Sequence, residues 1–243
     1  MRNHHAELSP KRWIILDLLR GVAIILMIAF HLVFDLNYFL GIEHLSYSTG
    51  WWFYIGQLSA ILFIAISGMT SVVIADHRFG GKRFLKRAAI VGAWAMAITM
   101  VTIFVFPQNP IYFGILHFLA ISMLLTPIFL RLSWLIVFFC GLGSFFFGLW
   151  IQTIPMETNL FAPIGLTNEH FFTLDYYPIF PWISVTFLGI TIAKLVLQSS
   201  WKNIIFHIPS FYGQEKLAWI GRHSLAIYLL HQPIFLLLLW GFK

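Results

Sequence analysis

Four ionisable residues stand inside one apolar stretch near the start of the chain: Asp17, Arg20, His31 and Asp35. At about 100° per residue, with Asp17 as zero, they fall at about 0°, 300°, 320° and 0°, on one helix face about 60° wide. Asp17 and Arg20 are spaced i,i+3 and His31 and Asp35 i,i+4, so each basic group has a carboxylate within reach on its own helix. A carboxylate beside an imidazole selects its tautomer and strengthens it as a base, which suits general acid–base work near neutral pH. Eleven residues separate Arg20 from His31, about 16 Å along a helix axis. The stripe therefore has a cationic level and, further along, an acid–base level. Neutralised pairs that only make burial tolerable are the alternative, most of all for Asp17 with Arg20.

Other polar residues gather at the ends of apolar segments. His44 lies with Glu43 and Ser46; Asn109 and His117 bracket a short Pro-Ile-Tyr-Phe-Gly-Ile-Leu run; His170, Asp175, Tyr176 and Tyr177 precede Pro178, Pro181 and Trp182; Arg222, His223 and Ser224 precede His231. A single histidine in a helix bundle is usually a hydrogen-bonded packing residue, and that reading stands beside a substrate-contacting one for His117 and His231. No pair of histidines has the short spacing of a helical metal site, so no metal is expected. Arg78, Lys82, Arg83, Lys86 and Arg87 form a basic cluster that suits lipid headgroups or the phosphates of a nucleotide-like donor. Gly68, Gly141, Gly143 and Gly189 read as close-packing positions between helices.

The elements that must position these groups follow from composition. Of 243 residues, 60% are hydrophobic, 18% aromatic and only 10% charged, against about 25% charged in soluble domains. With a mean hydropathy of +0.85, the chain reads as an integral membrane protein and not as a secreted, cytosolic or disordered one. A membrane helix needs about 20 mostly apolar residues, which predicts seven spans near 13–38, 51–75, 84–106, 111–130, 134–152, 178–197 and 222–240. The first carries Asp17 and Arg20 and has no small-residue cleavage site, so it is expected to be a retained helix and not a signal peptide.

Alternating seven spans sorts the loops into two sets. Thirteen of the fifteen lysines and arginines fall on the N-terminal side, with Arg20 inside the first span and Lys243 opposite. The positive-inside rule then places the N-terminus in the cytoplasm and the C-terminus outside. The net charge of +6 thereby has a topological reason, and nucleic acid is not an expected partner. The predicted fold is an all-α polytopic transmembrane bundle, one membrane-embedded domain over 1–243. It has a basic cytoplasmic segment at 1–12 and a long extracytoplasmic loop at 153–177. One cysteine, Cys140, excludes an intramolecular disulfide.

The run from Asp17 through Leu18, Leu19, Arg20, Gly21 and Val22 to Met27, followed by His31, resembles the opening of membrane acyltransferases related to the heparan-alpha-glucosaminide N-acetyltransferase catalytic domain. Further matching pieces are Ile64 to Gly68, Phe113 to His117, Asp175 to Trp182, and Ser224 to Pro233, so the likeness runs from Asp17 to Pro233. It implies an enzyme that takes an acyl group, typically acetyl from acetyl-CoA, on the cytoplasmic side and delivers it to an extracytoplasmic acceptor. Arg20, ten intervening residues and His31 also match the pattern of acyltransferase-3 enzymes, whose histidine is the proposed catalytic residue. In the lysosomal heparan enzyme the position of His31 looks like an asparagine. Its catalytic histidine falls later, where the nearest counterpart here is His44. The resemblance thus leaves His31 and His44 both open, and the charged stripe favours His31.

The expected mechanism has His31, oriented by Asp35 or Asp175, taking the proton of an acceptor hydroxyl or amine as it attacks a thioester carbonyl. Arg20 holds Asp17 and donor or oxyanion charge; Lys82, Arg83 and Arg87 receive the donor phosphates; Asp35, His117, Tyr176, Trp182 and His231 contact substrate. The expected partners are the bilayer, an acyl-CoA and a sugar or glycan acceptor, in a bacterial inner membrane, with a homodimer left open. Two rivals are a proton-coupled transporter, whose relay would use the same stripe, and a non-catalytic membrane protein.

Overall fold

The computed structural model describes residues 13–42, 46–75, 81–199 and 209–241. His44, Glu43, Arg78 and the basic segment 1–12 lie outside the described residues. Among the described residues eight α-helices follow in order: α1 (Ile14–Leu40), α2 (Gly50–Ala75), α3 (Gly81–Val105), α4 (Ile115–Leu130), α5 (Trp134–Ile151), α6 (Ile179–Gln198), α7 (Gln214–Arg222) and α8 (Ser224–Trp240). A single 3-10 turn, Ala162–Ile164, interrupts the long loop. Among the described residues there is no strand, only an isolated parallel bridge between Phe113 and Tyr176. The fold is the all-α membrane bundle that the composition predicts.

Among the described residues five helices, α1, α2, α3, α5 and α6, are long and apolar enough to cross a bilayer, and α7 with α8 reach that length and apolarity only as a pair bent by 80°, the geometry of a broken span or a re-entrant segment. The remaining predicted span is shorter than expected. Its helix starts at Ile115 and not at 111, giving 16 residues, about 24 Å. Residues 111–114 are instead held as non-helical chain, because both backbone groups of Ile111 are bonded to threonines of α3: Thr99 Oγ1 donates to its carbonyl and its N–H donates to Thr102 Oγ1.

The burial pattern is that of a protein whose solvent is lipid. Asp17, Asp35, Thr99, Ser122, Thr126 and Thr186 are buried, whereas Leu85, Phe104, Phe139, Phe146 and Leu237 are exposed. Hydrocarbon has no hydrogen bonds to offer a polar side chain, so such groups turn inward.

The chain forms two compact units, Met1–Gly56 with Ser200–Lys243, and Gln57–Ser199. In the first, α1 packs on α7 and α8. Small residues set the approach: a Cβ on Gly221 would strike the carbonyl of Asp17, and one on Gly21 would strike Leu217. Helix α1 ends at Gly41, whose φ of 66° lets its own N–H reach the carbonyl of Asn37 and the following Ile42 N–H reach that of Leu36. Leu217 and Gly221 sit at the level of Asp17 and Gly21, and Gln232 at the level of His31, so α8 runs parallel to α1. The charge pattern expects this of first and last spans that cross in the same sense.

In the second unit α5 packs along α6, α3 along α4, and α4 meets α6. Gly68 of α2 faces the carbonyl of Thr186, and Gly189 of α6 faces that of Ala65, so neither position has room for a side chain. Ser122 and Thr186 share a buried hydrogen bond between α4 and α6 at 3.2 Å.

Candidate active site

Helix α1 remains unbroken through both polar levels of the stripe. At the first, Arg20 Nη1 donates to Asp17 Oδ1 at 3.1 Å. The aspartate is buried and the arginine partly exposed, an asymmetric pair in which the guanidinium sets a positive charge against a buried carboxylate.

The second level is built by α1 and α8 together. The side-chain amide of Gln232 lies 2.9 Å from His31 Nδ1 and 3.5 Å from Asp35 Oδ1, with Nε2 facing both. A carboxylate and an imidazole lone pair are both acceptors, and an amide NH2 has one hydrogen for each. Turning the amide over would bring its oxygen against the carboxylate. Asp35 thus reaches His31 through Gln232, its carboxylate orienting the amide and the amide orienting the ring. Phe30 and Phe34 of α1 stand edge-on to the His31 ring at centroid distances of 5.4 and 6.3 Å.

His231 leans on the other side of His31, ring centroids 4.8 Å apart and planes inclined by 56°. Its Nδ1 points at the backbone carbonyl of Tyr228. A carbonyl only accepts, so the proton sits on Nδ1 and the Nε2 lone pair is left open. That Nε2 is buried with no hydrogen-bond partner, and so is Asp35 Oδ2, on a residue with 0% exposure. Buried polar atoms in native proteins are nearly always paired. Two unpaired acceptors flanking one imidazole mark a place where a hydrogen-donating group from outside the chain would be bound.

The remaining described candidates occupy the second unit. Asp175 accepts from the backbone N–H of Ile115 at 3.0 Å, the first residue of α4, and its carboxylate fills the space where a side chain on Gly114 would stand. Burial pushes the Asp175 carboxyl up to about 6, against the opposing pull of the Ile115 N–H. Thr173 Oγ1 donates to the carbonyl of Pro110 at 2.6 Å, and the Tyr177 N–H to that of Phe113 at 3.1 Å. The loop between α5 and α6 is thereby stitched to the approach of α4.

His117 accepts from the Gly114 N–H at Nδ1 and meets Thr99 Oγ1 with Nε2 at 3.2 Å. Because the Thr99 hydroxyl proton goes to Ile111, His117 is the donor there, and both ring nitrogens are occupied. Tyr176 donates its hydroxyl to the carbonyl of Ala162 at 2.8 Å, and burial pushes that hydroxyl up to about 12. Tyr177 is raised further, by burial and then by the Asp175 charge, and its ring lies 4.7 Å from that of Trp182. Lys82, Arg83, Lys86 and Arg87 are exposed on the first turns of α3, within about 140° of one face.

The sequence matches the family model described as heparan-alpha-glucosaminide N-acetyltransferase, catalytic, over residues 12–233. The chain belongs to this family. It is accordingly an integral membrane protein of acetyltransferase-like type, and the match spans both polar levels of α1 and the histidine and glutamine of α8. Compared with curated proteins and with solved structures, the chain finds no match.

Gln232 was not among the residues the sequence singled out for chemistry. The signal was available: it is an amide in the middle of a 17-residue apolar helix, directly after His231. Polar side chains at that depth tend to bond across helices.

Proposed function

We propose that the protein transfers an acyl group, acetyl in the first instance, from a cytosolic acyl-CoA to an extracytoplasmic acceptor bearing a hydroxyl or an amine, such as a sugar or glycan. The observation that carries this reading is the cluster of His31, Asp35, Gln232 and His231, two imidazoles and a carboxylate at the depth of membrane-spanning helices in a chain of this family. Acyl transfer needs one group to remove a proton from the acceptor and another to stabilise charge on the thioester oxygen. The cluster offers an open lone pair and an imidazole N–H, and open buried acceptors favour a ligand that brings hydrogens.

Arg20 with Asp17 supplies a cationic level on α1 that suits the donor. Lys82, Arg83 and Arg87 suit phosphate groups. Tyr176 and Trp182, in the segment leading into α6, suit contact with an acceptor ring. The experiment is to incubate the purified chain in lipid nanodiscs with radiolabelled acetyl-CoA and a panel of amino sugars and cell-wall glycans. Acetylated product and free CoA thiol should form together. Transfer abolished in His44→Ala and undiminished in His31→Ala would move the chemistry to the other histidine. Acetyl-CoA left intact with every acceptor would reject the reading.

A further inference from the structure

We propose that the proton-accepting atom of this acyl transfer is His231 Nε2, and that His31 acts beside it as a hydrogen-bond donor. The inference rests on the acyltransferase reading and deepens it by exchanging the roles that the stripe on α1 suggests. The two rings are set in opposite tautomers by their neighbours. Gln232 donates to His31 Nδ1, so the ring proton of His31 is on Nε2 and its only lone pair is already engaged. Asp35 makes this arrangement stable, because its Oδ1 takes the second amide hydrogen and opposes a turned amide.

His231 is the reverse. The carbonyl of Tyr228 requires a proton on Nδ1, and Nε2 is left as an unshared pair, buried and without a partner on a residue only 6% exposed. A base must have an open lone pair, and a charge-stabilising donor must have an N–H. At a centroid separation of 4.8 Å, one ring supplies each.

The step balances as follows. The acceptor X–H bonds through X to the thioester carbonyl carbon while its proton passes to His231 Nε2, and the carbonyl oxygen takes the negative charge within reach of His31 Nε2–H. His231 is then an imidazolium, its Nδ1–H still held on Tyr228. Collapse of the tetrahedral intermediate breaks the carbon–sulfur bond, the electron pair leaves on sulfur, and the proton passes from His231 to the thiolate. Acylated acceptor and CoA thiol leave, and both histidines return to their starting tautomers.

Two measurements on the full chain in nanodiscs test the assignment. Nitrogen-15 spectra of histidine-labelled protein should show a pyridine-type Nε2 for His231 and a pyridine-type Nδ1 for His31, with His231→Asn and His31→Asn identifying the signals. A proton found on His231 Nε2 overturns the proposal whether or not any variant is active. In the transfer assay, His231→Asn keeps a donor for the Tyr228 carbonyl and removes the base, so the rate should fall about 10²–10⁴-fold, the usual contribution of a general base. His231→Ala should recover part of its rate with added imidazole. Activity of His231→Asn within about threefold of the wild type, in a correctly folded sample, means that the ring only packs and overturns the base assignment. A wild type that transfers no acetyl group, with the tautomers as assigned, instead removes the acyltransferase reading and with it the catalytic role of His231.

Discussion

Replacing Gln232 with methionine removes the amide while keeping the length of the side chain, and its cost can be divided between the two partners. The bond to His31 joins two neutral groups across helices; such bonds average about 0.6 kcal/mol in membrane proteins, because the unfolded state in lipid finds other partners. Asp35 is different: it is fully buried, its Oδ2 has no partner, and Gln232 holds its Oδ1. Leaving a buried acceptor unpaired costs about 1–3 kcal/mol, and the 3.5 Å separation places this one toward the lower end. The sum is about 2 kcal/mol, with Asp35 the larger share. For a chain of this size that is a fall in Tm of about 4–8 °C. The assay is a thermal melt of purified protein in one detergent, completed as a cycle with Asp35→Leu. In the leucine background the same Gln232→Met change should cost less than about 1 kcal/mol, because only the His31 bond remains to be lost. Equal costs in the two backgrounds would show that Gln232 does not support Asp35, and the tautomer argument for His31 would lose its anchor.

Three further outcomes are expected. Gly189→Ala drives a methyl into the Ala65 carbonyl of α2 and should cost about 1–3 kcal/mol as overpacking, whereas Gly143→Ala, with nothing within 4 Å, should be neutral or gain about 0.5–1 kcal/mol from helix propensity; comparable melts for the two would refute the crossing as described. Asp175, raised to about 6 by burial, holds its proton more tightly folded than unfolded, so stability should fall as pH rises from about 4 to about 6; Asp175→Asn keeps an acceptor for Ile115 and should flatten that slope, and an unchanged slope would assign it elsewhere. Arg20→Met removes the guanidinium that faces the buried Asp17 carboxylate and should destabilise by more than the double change Asp17→Leu with Arg20→Met; additive melts would mean that the pair is not coupled.

Much of the bundle was legible in the residues because lipid imposes simple rules. Long apolar runs had to be helices, since an unpaired backbone has no partner in hydrocarbon, and α1, α2, α3, α5 and α6 appear close to where hydropathy places them. The start of α4 was not legible. Residues 111–114 are as apolar as a helix, and their backbone groups are instead taken by Thr99, Thr102 and Tyr177, distant in sequence, and by His117. The same holds for α7 and α8, where the chain turns by 80° at His223. There the helix end is closed by bonds from the His223 N–H back to Trp219 and Ile220, a local geometry that hydropathy does not encode.

The stripe on α1 was determined by the sequence alone, because a helix fixes which side chains share a face and how far apart they stand: Asp17 pairs with Arg20, and His31 and Asp35 lie about 16 Å or more further along. Periodicity speaks only for one helix at a time. It suggested that Asp35 serves His31 directly, and the tertiary structure decided otherwise, bringing Gln232 and His231 from about 200 residues away. Which nitrogen of an imidazole carries its proton depends on what each nitrogen faces, and those neighbours come from another helix and from a turn of backbone. The residue types available for chemistry were therefore written in the sequence, while the direction in which a proton can move among them was settled by packing.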